Sequence, residues 1–223
     1  MVLSFRTNKL IRWLRPPQPV LNLNARKVAR LLDETLEAGG RVLDIGSGGR
    51  RLRAGILNLD IDAFDNVHVV ADAHHLPFID QSFDLIVASA VLEHVPFPNQ
   101  VVAQIEKCLK PGGLVYAEIP FLQGFHSDPH DYQRYTLSGI KTLFRDYIEI
   151  DSGVCSGPAS TITWYLRKFP TIFFSTTVIN KTLEFFTGWL VFPFKYLDYI
   201  LIKQKNAHSL ASGLYFIGRT KSG

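Results

Sequence analysis

Two stretches of the chain hold residues whose types and spacing could do chemistry. The first is Val42-Leu43-Asp44-Ile45-Gly46-Ser47-Gly48-Gly49, an apolar run that opens on a β-branched residue and ends in an acid followed by clustered glycines. Glycines there permit positive φ and leave no Cβ between the peptide N–H groups and a ligand above the strand end. The spacing is not the dinucleotide fingerprint, because Arg51 stands where a third glycine belongs, and no phosphate-binding lysine follows as a P-loop requires. The second stretch crowds His126, Asp128, His130, Asp131, Tyr132 and Arg134 into one loop. A histidine, with an ordinary pKa of about 6.5, is suited to take the proton of a hydroxyl acceptor. Asp128 or Asp131 could orient such an imidazole, and Arg134 could hold an anionic group through its planar fork. The competing reading is a loop tied down by an Asp–Arg pair and aromatic packing. His126 and His130 also have the spacing of a helical metal pair, but Pro129 lies between them, and Cys108 and Cys155 lack zinc-type spacing. No metal centre is expected.

These residues need a scaffold, and the apolar pattern supplies one. Val28, Leu31, Leu32 and Leu36 fall at helical spacing between Asn24 and Ala38, and Gly39-Gly40 stops the helix before the first strand. A second strand, Ile56 to Ile61, closes on Asp60, and a third begins at Val67 and runs to Asp72-Ala73. Ser82 to Ser89 reads as a fourth, Leu114 to Pro120 as a fifth, and Tyr147 to Ile150 as a sixth. A helix from Leu137 to Phe144, capped by Thr136 or Ser138, precedes the sixth strand. Gly213 to Arg219 is expected as a seventh strand, antiparallel to the rest. Between the first two strands the chain has only Gly49 to Gly55, whereas a full parallel crossover needs about a dozen residues. Either a vestigial helix fits there or the glycine loop runs almost directly into the second strand.

Taken in order, the glycine turn, Asp60, Asp72-Ala73-His74-His75-Leu76-Pro77-Phe78, Ser82-Phe83-Asp84, Leu92-Glu93-His94 and Leu109-Lys110-Pro111-Gly112-Gly113 resemble the motifs of class I S-adenosylmethionine-dependent methyltransferases. The loop from His126 to Thr136 is similar to that of a type 11-like subgroup. The resemblance implies an α/β, Rossmann-like sheet of seven strands, six parallel and one antiparallel, with helices on both faces. It implies S-adenosylmethionine as cofactor, with Asp44 orienting the methionine amino group, Gly46 and Gly48 letting the backbone approach, Asp60 on the ribose, and Asp72 with Ala73 beside the adenine. The acceptor side would then fall to His126, His130 and Asp131 as catalytic candidates, and to His94, Tyr132 and Arg134 as substrate-binding ones. A strand-four turn reading Ser89-Ala90-Val91-Leu92-Glu93-His94 lacks the D-P-P-Y or N-P-P-Y of base-modifying relatives, so no nucleic-acid partner is expected.

The chain has 223 residues, is 47% hydrophobic and carries a net charge of +4, which fits a single domain. It divides into a basic N-terminal cap (1–38), a cofactor-binding core (39–156), an aromatic helical insertion (157–212) and a last strand with its tail (213–223). The first thirty residues include Arg6, Lys9, Arg12, Arg15, Arg26, Lys27 and Arg30 without an acid. Residues 1–23 form either an amphipathic surface segment or a helix over the cofactor. The insertion is rich in Phe, Trp and Tyr, too apolar for a solvated loop yet interrupted by Pro193, Lys195 and Asp198 before a spanning length. It either covers the substrate side or lies against a membrane. The expected function is transfer of a methyl group to a small-molecule, glycan or lipid-linked acceptor, in the cytoplasm or at the inner membrane surface. The alternatives are a non-catalytic cofactor-binding scaffold and a peripheral lipid or quinone methyltransferase.

Overall fold

A computed structural model describes residues 15–126 and 130–221; the basic side chains from Arg6 to Arg12 and Asp128 lie outside the described residues. The elements run α1 (Ala25–Glu37), β1 (Val42–Ile45), β2 (Leu57–Asp60), β3 (Val69–Val70), β4 (Phe83–Ser89), α2 (Pro98–Cys108) and β5 (Leu109–Pro120). They continue through α3 (Leu137–Leu143), β6 (Ile148–Ser156), α4 (Pro158–Lys168), α5 (Thr177–Val191), α6 (Asp198–Leu201) and β7 (Gly213–Arg219), with three short 3₁₀ turns inside the insertion. The sheet order is β3-β2-β1-β4-β5-β7-β6, and β7 runs antiparallel between β5 and β6 while the other pairings are parallel. The expected fold class is therefore observed.

Side-chain alternation splits the core across the two faces of the sheet. Val42, Leu85, Val87 and Tyr116 face α1, whose Leu32 is buried among them with Val28, Leu31 and Leu36 alongside. Leu43, Ile45, Ile86, Ala88, Val115 and Ala117 face the opposite way, toward Val101, Val102 and Ile105 of α2 and Ile140 of α3. Asp44 shares the α1-facing side of its strand with Val42, so a carboxylate is carried into a fully buried position.

The first crossover has no helix. Ser47 donates its backbone N–H to the Leu59 carbonyl at 3.1 Å, so the glycine turn leans straight onto β2. The Asn66 amide holds the far side of the turn, donating to the carbonyls of Gly48 (3.0 Å) and Arg50 (2.6 Å). Of the two arrangements that the short spacing permits, the direct run is the one observed.

The insertion is anchored by polar contacts and left apolar outside. Asp198, fully buried, accepts from the backbone N–H groups of Ala159 (2.8 Å) and Ser160 (2.9 Å) and so caps the free amino end of α4 from a distance. Lys195 donates to the Gln18 carbonyl at 2.7 Å, and Thr161 to the Leu210 carbonyl at 2.8 Å. Its outer surface is a different matter: Phe173 is 69%, Phe186 65% and Leu190 75% exposed, with Phe174, Phe185 and Trp189 also exposed and Phe192 half-buried. No helix among the described residues is long and apolar enough to cross a membrane.

Candidate active site

Open α/β sheets bind ligands in the crevice beyond the carboxyl ends of their strands. Here that edge has two neighbourhoods, one over β1, β2 and β3 and one beyond β4 and β5.

In the first, Gly46 (φ +61°) and Gly48 (φ +51°) both adopt the left-handed conformation that glycine accommodates best. A Cβ on Gly46 would lie 2.4 Å from Val91 Cγ2, so this glycine is required by packing against the turn after β4. A Cβ on Gly48 would meet nothing within 4 Å, and that face of the turn is open. Asp60 at the tip of β2 accepts from the Gly48 N–H through Oδ2 (2.7 Å) and from the Asp62 N–H through Oδ1 (3.0 Å). Each oxygen keeps a second lone pair for a hydroxyl donor. Asp72, exposed after β3, accepts from the backbone N–H and Nδ1 of His74 at 2.9 and 2.6 Å, and Ala73 beside it is buried.

Asp44 is engaged by a residue that the motif reading did not single out. Arg50 donates to Asp44 Oδ1 at 2.9 Å and approaches Oδ2 at 3.4 Å, while its other terminal nitrogen donates to the Ser89 carbonyl at 3.1 Å. Burial pushes the Asp44 carboxyl upward, and the guanidinium opposes that shift. A ligand ammonium reaching Asp44 must share the carboxylate with Arg50 or displace it. Beside this pair, on the α1 face, lies a cavity of 330 Å³ whose polar lining includes Asn22, Arg50, Ser89 and Glu118. Glu118 accepts from Asn22 (3.0 and 2.9 Å), from Ser89 Oγ (2.8 Å) and from the Tyr116 hydroxyl, so its buried charge is satisfied.

The second neighbourhood gathers Glu93 and His94 from the turn after β4 with the loop after β5. Glu93 is 0% exposed, and neither carboxylate oxygen accepts a hydrogen bond from the described residues. Burial pushes its pKa up to about 7. His94 Nε2 lies 3.7 Å and His126 Nε2 3.9 Å from Glu93 Oε1. Asp131, by contrast, is fully paired: Arg134 grips both oxygens, and the His126 backbone N–H donates to Oδ2 at 2.9 Å. The guanidinium holds the Asp131 carboxyl down at about 2. Arg134 also donates to the Gln123 carbonyl at 3.1 Å, so its fork is used in shaping the loop.

His130 and Tyr132 stand apart from this centre. Their rings pack on each other at 5.5 Å and both residues are exposed, while the His130 carbonyl accepts from His94 Nδ1 at 2.5 Å. The insertion reaches the centre through Trp164 of α4, whose ring lies 6.0 Å from that of His126. Gly124 allows this approach, since a Cβ there would sit 2.4 Å from Trp164 Nε1. Trp164 stood in the sequence only as one aromatic among many, and Glu93 only as part of a turn; nothing local distinguishes either.

A family described as a methyltransferase domain matches residues 51–117, beginning just past the glycine turn and running through the end of β4 into β5. With the strand order already described, this methyltransferase-domain match lies within a sheet of the class I methyltransferase type. Among relatives, the domain is 28% identical over 121 residues to a ubiquinone biosynthesis O-methyltransferase of Nitrosococcus oceani, covering 44% of this chain and 51% of that protein. The chain thus spans about half the length of the relatives it matches. The methyltransferase domain also superposes on the crystal structure of the [4+2]-cyclase SpnF with a TM-score of 0.56 at 16% identity, covering 88% of this chain and 81% of that one. A second superposition is on the 1,6-didemethyltoxoflavin-N1-methyltransferase of Burkholderia thailandensis, solved with bound 1,6-didemethyltoxoflavin and S-adenosylhomocysteine. Its TM-score is 0.53 at 15% identity, covering 90% of this chain and 79% of that one. At these identities the superpositions speak for the fold, and a cyclase among them shows that the fold alone does not name the reaction.

Proposed function

We propose that this methyltransferase domain binds S-adenosylmethionine along the β1–β3 edge and transfers its methyl group to a hydroxylated, lipid-linked small molecule held beyond β4 and β5. The observation that carries the reading is the division of the sheet's carboxyl edge. Asp44, the glycine turn, Asp60 and Asp72 line one side, and a proton-accepting cluster of Glu93, His94 and His126 lies on the other. The cofactor supplies an electrophilic methyl group on a sulfonium, which calls for alignment and exclusion of water more than covalent help. Asp60 holds the ribose hydroxyls while fixing Gly48, Asp72 meets the adenine edge, and the cavity beside Arg50 receives the methionine end. The acceptor hydroxyl gives up its proton to the Glu93–His94–His126 cluster, and the Asp131–Arg134 pair keeps His126 in place through its backbone N–H.

Asp60→Ala tests the cofactor half of this reading. It removes a charge-assisted acceptor for the ribose and frees the glycine turn, so S-adenosylhomocysteine affinity measured by calorimetry should fall at least about tenfold, equivalent to about 1.5–3 kcal/mol. A folded Asp60→Ala protein that binds S-adenosylhomocysteine as tightly as the wild type would remove the assignment. Binding without transfer of labelled methyl groups to any lysate component would favour a cofactor-binding scaffold instead.

A lipid-linked acceptor is favoured by the exposed aromatics of the insertion, which adjoins the acceptor centre through Trp164. Together with the basic N-terminal sequence they combine apolar bulk with cationic side chains, which suits an anionic membrane surface. The full-length chain should therefore float with anionic liposomes at low salt and release them as salt rises. Phe186→Asp combined with Leu190→Asp changes only exposed positions and should abolish flotation while leaving the melting temperature unchanged. Flotation unaffected by these two substitutions, or absent from the wild type, would return the insertion to the role of a substrate cover.

A further inference from the structure

We propose that Glu93, His94 and His126 form a binding site for one divalent transition-metal ion of the Zn²⁺ type, at the acceptor side of the sheet. The starting observation is an imbalance. A carboxylate that is 0% exposed ordinarily accepts hydrogen bonds, yet among the described residues both Glu93 oxygens have none. What faces Oε1 is a pair of imidazole nitrogens at 3.7 and 3.9 Å, too far for hydrogen bonds. The spacing suits a shared ion, because ligands about 2.0–2.2 Å from a tetrahedral Zn²⁺ lie about 3.3–3.6 Å from one another. The three ligand atoms all fall within 4.8 Å of each other, so the two pairs that include Glu93 need a contraction of a few tenths of an ångström and the His94–His126 pair one of at most about 1.5 Å.

The outer contacts match those of metal-binding histidines. His94 Nδ1 pairs with the His130 carbonyl at 2.5 Å, and His126 Nδ1 with the Gly124 carbonyl at 3.2 Å. A carbonyl only accepts, so each Nδ1 carries the proton and each Nε2 presents a lone pair toward Glu93. An Arg134 nitrogen lies 3.4 Å from His126 Nδ1, farther than the Gly124 oxygen, and is already committed to Asp131. Two imidazoles and one carboxylate form a donor set of Zn²⁺-type chemistry with a position left for water or an acceptor oxygen. His126 is the more open of the two histidines, with 27% of its side chain exposed against 15% for His94.

The set draws on two separate turns, with Glu93-His94 after β4 and His126 after β5, and excludes the His126–His130 pair that sequence spacing offers. Without the ion these groups are free to accept the acceptor's proton; with it their lone pairs are engaged, so the ion would hold the acceptor oxygen as an oxyanion and the proton would leave to water. The metal site itself does not depend on methyl transfer, and its test uses neither cofactor nor acceptor.

The experiment is a Zn²⁺ titration of the chelator-stripped full-length chain by calorimetry, paired with Co²⁺ substitution read by visible absorption. One ion per chain is expected, with the intense visible bands of a low-coordinate Co²⁺ centre. Glu93→Gln, His94→Ala and His126→Ala should each weaken Zn²⁺ at least about tenfold. Of these, His126→Ala changes a partly exposed ring and provides a folded variant if the buried substitution does not. His130→Ala keeps the backbone carbonyl and should leave affinity unchanged. Absence of saturable Zn²⁺ binding by the wild type, or undiminished binding by folded His126→Ala, overturns the proposal. Equal losses in His130→Ala and His126→Ala would place the ion in the loop and overturn this ligand set.

Discussion

His126→Ala is expected to lower turnover about a hundredfold while leaving S-adenosylhomocysteine affinity at the wild-type level. Loss of a positioned proton acceptor costs typically about 10²–10⁴ in rate. The ring is placed to matter because its Nε2 points at the orphaned Glu93 carboxylate, while the cofactor-side residues Asp44 and Asp60 engage Arg50 and Gly48 instead. His130→Ala makes the contrast. Its ring is exposed against Tyr132 and only its main-chain carbonyl joins the centre, so that variant should keep most of its activity. Methyl incorporation from labelled S-adenosylmethionine into a phenolic acceptor, with affinity measured separately, reads both effects. Loss of activity in His130→Ala with none in His126→Ala would reverse the assignment, and full activity in both would make the loop histidines structural.

Gly46→Val should be the most damaging substitution at the cofactor edge. The residue sits at φ +61°, where a β-branched side chain is strained, and the new Cβ would meet Val91 Cγ2 at 2.4 Å. Strain and overpacking each cost about 1–3 kcal/mol, and together they approach a large part of the stability of an ordinary domain. A fall in melting temperature of several degrees is expected, together with loss of S-adenosylhomocysteine binding. The sequence points to a clash with the ligand at this glycine; the structure places the clash inside the protein, against the turn after β4. Gly48→Ala is the comparison, since its Cβ would enter open space and only the backbone strain remains. A Gly46→Val protein as stable as the wild type would show that the turn relaxes away from Val91.

The order of apolar runs and their closing residues determined the sheet. Val42–Ile45, Leu57–Asp60 and Phe83–Ser89 are short, β-rich segments bounded by turn residues, and their identity as strands is a local property that needs no partner to be read. The spacing Gly49 to Gly55 likewise excluded a full crossover helix by length alone. Strand ends were less legible: β6 extends to Ser156, well past the alternating Tyr147–Ile150 segment, because pairing with β7 holds residues that have no strand pattern of their own. The insertion's apolar character was plain in its composition, but which aromatics face outward depends on how α4 is anchored by Asp198. Tertiary structure alone decided the functional geometry. That Arg50 folds back onto Asp44 while reaching the Ser89 carbonyl is a consequence of β1 lying beside β4. That Glu93 faces His126 from the next strand's loop, with no hydrogen-bond partner among the described residues, is a consequence of β4 and β5 lying side by side. Local periodicity fixes which face a side chain takes. Contacts between segments some thirty residues apart arise only when the sheet brings their ends together, and burial of Glu93 is a property of that assembly.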